Sequence, residues 1–321
     1  MNSGEPVLLS VGIAAYNHGR FIGAAIESVL AQQTDFNFEL VIYDDLSTDG
    51  TRDILTEFAD KYPDRIRLLL SNRNMGPNHA GRTIYSNCKG TYLIWLDGDD
   101  CFCHNEKLRK QVHFLENNPE YNGCFHDASV HVCDKPENPE LDQFHDEFKT
   151  YSQFNKYRHD FYPWDLLERK IIPTASLVFR KNALDGFFNR FGDIRLSLSW
   201  VIHLYLIRHS KFRYFNETWS VYNDHIDGVS KKVEYNEFKT SIIDVLERLL
   251  SDDYYRYISK DVHRAIARET YQIISNPRTM ELPRKEFFSL IKRYKNAVGK
   301  QIGNETEYYR NEYKRIRKGD R

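Results

Sequence analysis

Between residues 7 and 97 short apolar, β-rich runs alternate with segments of helical spacing, and few folds accept that order. Val7 to Ala15 reads as a buried strand, because a strand covered on both faces shows a continuous apolar run rather than alternation. Tyr16-Asn17-His18-Gly19-Arg20 forms a turn. Phe21 to Gln33 follows with Ile22, Ile26, Val29 and Leu30 on one helical face. Phe38 to Tyr43 is a second strand and ends in Asp44-Asp45. Ser47-Thr48-Asp49-Gly50 supplies a turn and a cap, and residues 51–61 a helix with Ile54, Leu55 and Phe58 inward. Ile66 to Leu70 is a third strand, Asn72 to Pro77 a loop, 78–88 another helix, and Tyr92 to Leu96 a fourth strand. The alternation calls for an α/β fold: a Rossmann-like, mostly parallel, doubly wound sheet flanked by helices, with right-handed crossovers.

The fourth strand runs directly into Asp97-Gly98-Asp99-Asp100. Open α/β sheets bind their ligands at the carboxyl ends of their strands. Crowded carboxylates repel one another unless a cation sits among them, and Mg²⁺ or Mn²⁺ shared with phosphate oxygens meets that need. The plainer alternative is an acidic turn that caps the next helix through Asp100 or Asn105. Asp44 and Asp45 lie on the same edge of the sheet. The position after the first strand holds Ala14-Ala15-Tyr16-Asn17-His18-Gly19, which is not G-x-G-x-x-G, and no G-x-x-x-x-G-K-[ST] occurs. Carboxylates stand where such folds use glycines, which implies a metal-bridged diphosphate.

Composition narrows the partners. Basic and acidic side chains nearly balance, 45 against 46, which gives no ground for a nucleic-acid partner. No apolar run approaches the roughly 20 residues that span a bilayer. Met1 to Pro6 lacks the basic and apolar regions of a signal peptide. Five irregularly spaced cysteines fit a reducing compartment, so the expected location is cytoplasmic. Cys101-Phe102-Cys103-His104 has no second pair at zinc spacing and is set aside as a metal knuckle.

The chain resembles a family 2 glycosyltransferase of GT-A fold. The resemblance rests on Val11-Gly12-Ile13-Ala14-Ala15-Tyr16-Asn17, Ile26 to Gln33, Phe38 to Thr51 and Leu96-Asp97-Gly98-Asp99-Asp100, and it covers residues 6–230, more weakly after 135. It implies that Asp45 hydrogen-bonds a pyrimidine base, that Tyr16 lies at that base, and that Ala14 and Asn17 also line the nucleotide site. A carboxylate can accept an imide N–H and a ring can stack on the base. Arg82 matches a basic residue near the nucleotide, Asp97 with Gly98 lies near the ribose, and Asp99 is the leading metal ligand with Asp100 beside it. Asp44 has two open readings, a nucleotide contact and a structural carboxylate. The family usually has Pro-Thr where this chain has Ala14-Ala15, and Gly after the paired aspartates where this chain has Leu46.

In the second half, Asp134 to Tyr162 is polar and aromatic, and reads as an irregular segment over the site. Ile171 to Arg180 is a strand candidate. Phe191-Gly192-Asp193-Ile194-Arg195 precedes an apolar helix, Leu196 to Ile207. Asp193 matches the family's catalytic base, which takes the proton of an acceptor hydroxyl; a helix cap needs the same residue. Tyr222 to Ser230 resembles the family's Tyr-Arg-x-His segment, and His225 is a candidate for the metal shell, where imidazole suits Mn²⁺ better than Mg²⁺. The other histidines are assigned to surface or core. Residues 232–321 read as a helical appendage, with helices over Phe238 to Leu250, Tyr254 to Ile274 and Glu286 to Ile291, on a catalytic domain of 1–231 with a nucleotide-binding half at 1–135 and an acceptor-side half at 136–231. The basic, aromatic end from Tyr308 to Lys318 has two readings: a helix on an anionic membrane, or a solvated helix face or dimer contact, which the interleaved Glu305, Glu307 and Glu312 favour.

The resemblance implies an inverting, Mn²⁺- or Mg²⁺-dependent enzyme moving sugar from a nucleotide-sugar, UDP-linked by default, to a glycan or lipid-linked acceptor. Its alternatives are a sugar nucleotidyltransferase and a non-catalytic module that kept the fold.

Overall fold

The computed structural model describes residues 6–134, 150–151, 158–194, 198–228, 234–276, 282–299 and 311. Strands β1 (Leu9–Ala15), β2 (Phe38–Asp44), β3 (Ile66–Leu70) and β4 (Tyr92–Asp97) alternate with α1 (Ile22–Leu30), α2 (Thr51–Lys61) and α3 (Pro77–Asn87). All four strands are parallel, in the order 3-2-1-4. β1 is buried almost throughout and β2 entirely, which is why both read as unbroken apolar runs. Leu9, Val11, Ile13, Leu40, Ile42, Ile94 and Leu96 form the centre of the core, under Ile22, Ile26 and Val29 of α1.

Beyond β4 the sheet becomes mixed. β5 (Cys101–Phe102), α4 (Lys107–Asn117), β6 (Tyr121–Val132), β7 (Asp160–Phe161), α5 (Pro163–Glu168), β8 (Val178–Arg180), α6 (Phe187–Phe191), α7 (Leu198–Ile207) and β9 (Lys211–Asp224) follow in the chain. β8 runs antiparallel to both β4 and β6, β6 pairs parallel with β9, and β5 and β7 run antiparallel to β9. The stretch Ile171 to Arg180 is strand only in its last three residues. Pro173 cannot donate to a ladder; its carbonyl instead accepts from Ser176 N at 3.0 Å and Ser176 Oγ at 2.7 Å, closing a 3₁₀ turn at Thr174–Ser176. Of the irregular segment read between Asp134 and Tyr162, residues 135–149 and 152–157 lie outside the described residues. So do Arg195, Ser230, and Tyr308 to Lys318 apart from Asn311.

The chain divides into two compact units, Met1–Tyr162 with Ile171–Gly228, and Pro163–Lys170 with Val229–Arg321. The second holds α5 together with α8 (Tyr235–Leu249), α9 (Asp253–Tyr257), α10 (Ser259–Ile274) and α11 (Arg284–Gly299). The expected helix 254–274 breaks at Ile258, and the expected 286–291 helix is longer at both ends. α10 packs on α5, α8 and α11, burying Leu246, Val262, Ile266, Ile273 and Tyr294. Its buried Glu269 accepts from Lys239 Nζ at 2.7 Å and Arg268 Nη2 at 2.9 Å. Those two cations hold its carboxyl below the usual range against the burial that raises it. No helix among the described residues is long and apolar enough to cross a membrane.

One ion pair locks the amino-terminal sheet edge. Asp44 is fully buried, and Arg52 Nε donates to its Oδ2 at 2.5 Å. Arg52→Ala leaves that carboxylate buried without its cation, and should destabilise the protein by about 3 kcal/mol in urea unfolding. Adding Asp44→Asn should recover part of the loss.

Candidate active site

The strand order reverses at β1, whose neighbours are β2 and β4, and the crevice at such a reversal is where open sheets bind ligands. In register, Ala15 lies opposite Asp44 and Ala14 opposite Asp97, so the acidic clusters flank the end of β1 on both sides. Asp44 also accepts from Ser47 N at 3.1 Å, and Arg52 reaches on to the Ser71 carbonyl. These contacts give Asp44 a structural job. Asp45 is nearly buried and accepts from Met75 N and Gly76 N, both at 2.7 Å, through separate oxygens. Each oxygen keeps a lone pair for a further donor. Gly76, at φ 83°, takes a conformation that suits glycine. Leu46, where the family has glycine, sits at φ 65°, a left-handed conformation that costs a side chain about 1–2 kcal/mol.

The loops after β1 and β2 are fastened together. Asn17 N donates to Ser47 Oγ at 2.9 Å, and Asn17 Oδ1 accepts from Thr48 N at 2.8 Å. His18 N donates to Thr51 Oγ1 and Gly19 N to Asp49 Oδ2, both at 2.9 Å. Asn17 is therefore a brace between the loops, and its φ of 56° is one that Asn tolerates. Tyr16 beside it is 46% exposed, with its ring available for stacking.

On the other side of β1, Asp100 N donates to the Asp97 carbonyl at 3.0 Å and closes the acidic turn. A Cβ on Gly98 would come within 2.5 Å of His18 Nδ1 and 3.2 Å of the Ala14 carbonyl, so the turn packs this closely on the β1 loop because it has glycine there. β5 follows at once and pairs with β9, Cys101 opposite Val221 and Phe102 opposite Ser220. That pairing carries the residues after Val221 to the acidic turn. Asn223 Nδ2 donates to the Asp99 carbonyl at 2.7 Å, and Asn223 N to Asp100 Oδ1 at 3.0 Å. His225 Nε2 lies 3.0 Å from Asp99 Oδ2, with its ring against Phe21 at 4.7 Å. His18 Nε2 is 3.8 Å from the same oxygen. His18 and Asn223 were missed in the sequence; a histidine directly after Tyr-Asn on the β1 loop was the available signal for His18.

The carboxyls of the turn have diverged electrostatically. Burial raises Asp97, and the neighbouring Asp99 raises it further, to about 7. Asp100 is pushed well up by burial and by Asp97 and Asp99. Burial also pushes Asp99 upward, but the His225 hydrogen bond and the nearby His18 outweigh it and hold Asp99 below its usual value. Burial lowers His18. Asp99 is thus the anion of the group, while Asp100 is turned to the Asn223 backbone.

Arg82 is exposed on α3. Asp193 is exposed in the turn after α6, closed by Ile194 N on the Phe191 carbonyl at 3.1 Å; α7 is described from Leu198, and residues 195–197, where the expected helix start falls, lie outside the described residues. Tyr151, also unforeseen, packs its ring edge-on to Tyr222 at 5.8 Å, and burial and the charges of Asp100 and Asp97 raise its hydroxyl.

Among the described residues no three His, Cys, Asp or Glu side chains form a metal-holding group. The donor chemistry nonetheless fits a divalent cation: an ionised carboxylate beside an imidazole nitrogen, a second carboxyl, Asp97, raised by burial and then by the charge of Asp99, and a buried His18 Nδ1 without a hydrogen-bond partner among the described residues.

The model of glycosyl transferase family 2 matches residues 10–184. An uncharacterized protein of Mycobacterium tuberculosis is 30% identical over 227 residues, 69% of this chain and 60% of its own length. The chain belongs to glycosyl transferase family 2. It thus spans about three-fifths of that relative's length. A UDP-Glc:alpha-D-GlcNAc-diphosphoundecaprenol beta-1,3-glucosyltransferase of Escherichia coli is 39% identical over 109 residues, 34% of this chain and 41% of its own. Among solved structures, TarS residues 1–349 of S. aureus in complex with UDP-GlcNAc superposes with a TM-score of 0.66 at 14% identity, covering 98% of this chain and 88% of that one, which establishes a shared fold of GT-A type.

Asp97 carries a testable pH signature. Its raised pKa means that the folded chain holds a proton the unfolded chain has released. The stability this contributes is full below about pH 4 and is lost as pH rises through about 7. In EDTA, Asp97→Asn should gain stability relative to the native protein between pH 4.5 and pH 8 in urea unfolding. An equal difference at both pH values would show that Asp97 titrates normally.

Proposed function

We propose that this chain is an inverting, metal-dependent glycosyltransferase, moving a sugar from a UDP-sugar to a hydroxyl of a glycan or lipid-linked acceptor in the assembly of a surface polysaccharide or glycoconjugate. The observation that carries the reading is the Asp99–His225 pair, 3.0 Å apart beside the reversal of strand order, in a chain of this family. The E. coli relative, whose name gives UDP-Glc as donor and a diphosphoundecaprenol-linked sugar as acceptor, supports the donor and acceptor classes. An acceptor of that kind fits action at the cytoplasmic face of a membrane.

The donor lies across the ends of β1, β2 and β4. Tyr16 stacks on its base, and the free lone pairs of Asp45 accept the imide N–H, with the Met75 and Gly76 amides keeping the carboxylate aimed. Asp97 and Gly98 lie toward the ribose, and Arg82 toward the phosphates. Asp99 and His225 would hold Mn²⁺ or Mg²⁺, which supplies positive charge to the leaving diphosphate. Asp193 takes the proton of the acceptor hydroxyl as that oxygen attacks the anomeric carbon, on the face opposite the diphosphate, so the configuration inverts. UDP departs with the electrons of the broken bond.

Calorimetric titration with UDP, dTDP, GDP and CDP, each with Mn²⁺ and with EDTA, tests the donor site. UDP should bind with Mn²⁺ at least tenfold more tightly than with EDTA, and Asp99→Ala should remove that difference. Asp193→Asn should bind UDP as the native protein does and lose transfer. Folded protein that binds none of the four would be a member of the family without the chemistry.

A further inference from the structure

Asn78 stands in the first turn of α3, far in sequence from Asp193, and its side chain is spent on the turn that carries Asp193. Its Nδ2 donates to the Phe191 carbonyl at 3.1 Å and to the Ile194 carbonyl at 2.9 Å. An asparagine amide has two hydrogens, and the two carbonyls that bracket Gly192-Asp193 take both. The Phe191 carbonyl also accepts from Ile194 N, so one side chain closes a turn that is already tied across its ends.

The clamp has a firm base. α3 packs on β1 and β2 through the buried Ala80, Gly81 and Ile84, so closely that a Cβ on Gly12 would come within 2.5 Å of Ile84 Cγ2. Immediately before Asn78, Met75 N and Gly76 N hold the two oxygens of Asp45. Met75 to Asn78 therefore grips the Asp45 carboxylate at one end and the Asp193 turn at the other. An exposed carboxylate on a short turn is not oriented by burial, and a displacement of about 1 Å in a reacting group can cost about a hundredfold in rate. We infer that Asn78 is a positioning residue for Asp193, and that the Met75–Asn78 stretch fixes the base in the frame of the donor pocket. The inference rests on the reading of Asp193 as the base.

The test compares native protein with Asn78→Ala, which removes both bonds, Asn78→Ser, which keeps one donor, and Asp193→Asn. Three quantities are read: hydrogen exchange at the Ile194 amide, UDP affinity with Mn²⁺ by calorimetry, and steady-state UDP release from UDP-glucose with water as acceptor. Asn78→Ala should speed exchange at Ile194 at least tenfold and lower kcat at least tenfold, with UDP affinity and the KM for UDP-glucose within twofold of native. Asn78→Ser should fall between the two, and it serves in place of the alanine variant if that one does not fold. Unchanged exchange overturns the inference. So does native kcat in an Asn78 variant when Asp193→Asn is inactive, and so does a tenfold loss of UDP affinity, which would assign Asn78 to the donor loop alone. Native kcat in Asp193→Asn overturns instead the reading of Asp193 as base. If native protein releases no UDP, the functional reading is what suffers, and exchange at Ile194 alone decides the clamp.

Discussion

β5 is two residues long, yet its antiparallel pairing with β9 sets Cys101 opposite Val221 and so decides what surrounds Asp99. Phe102 N also donates to Ser28 Oγ of α1 at 3.0 Å, which fixes the short strand from its other side. Held between α1 and β9, the acidic turn receives Asn223 and His225 from a distant part of the chain. Without that pairing Asp99 would be one carboxylate among several at a strand end. With it, Asp99 has an imidazole on one oxygen and an amide on its carbonyl.

The sheet edge gathers five aspartates, and each is handled by a different physical means. Asp44 is paired with a guanidinium, Asp45 is held by two backbone amides, and Asp99 lies against the His225 imidazole with His18 nearby. Asp100 accepts a single backbone N–H, and Asp97 retains a proton up to about pH 7. Two like charges this close, largely removed from water, cannot both ionise cheaply. On the β2 side Arg52 answers Asp44 and two backbone amides hold Asp45, whereas on the β4 side the carboxyls have no paired guanidinium or ammonium among the described residues.

The amino-terminal half was legible because its strands are covered on both faces and its helices are amphipathic, so period and apolarity report the elements directly. Thr51–Lys61 and Ile66–Leu70 agree with the sequence reading to the residue. The second half was less so. β6 and β9 mix buried aromatic, polar and charged residues, because their far ends leave the core to serve the site, and neither shows a clean alternation. Motif spacing drew attention to Asp99 and His225. Their contact depends on a long-range strand pairing that no local pattern encodes. His18 and Asn78 escaped notice for a related reason: each acts through a partner brought near by the fold, Asp99 for one and the Phe191–Ile194 turn for the other. Leu46 shows the reverse case, a local departure from the family that the backbone absorbs as a left-handed residue.

The second compact unit is assembled from two separate stretches of chain. α5 enters it from the middle of the sequence, with Leu166 and Leu167 each 1% exposed, and its packing partner α10 is made some ninety residues later. During synthesis from the amino terminus, α5 emerges with its leucines bare and stays so until α10 has left the ribosome. A nascent chain halted just after β9 would carry that greasy segment in the open, an attractive target for a chaperone or a protease. For the same reason, cutting the gene after Gly228 would not yield a tidy sheet unit, because it would strand α5 without its cover.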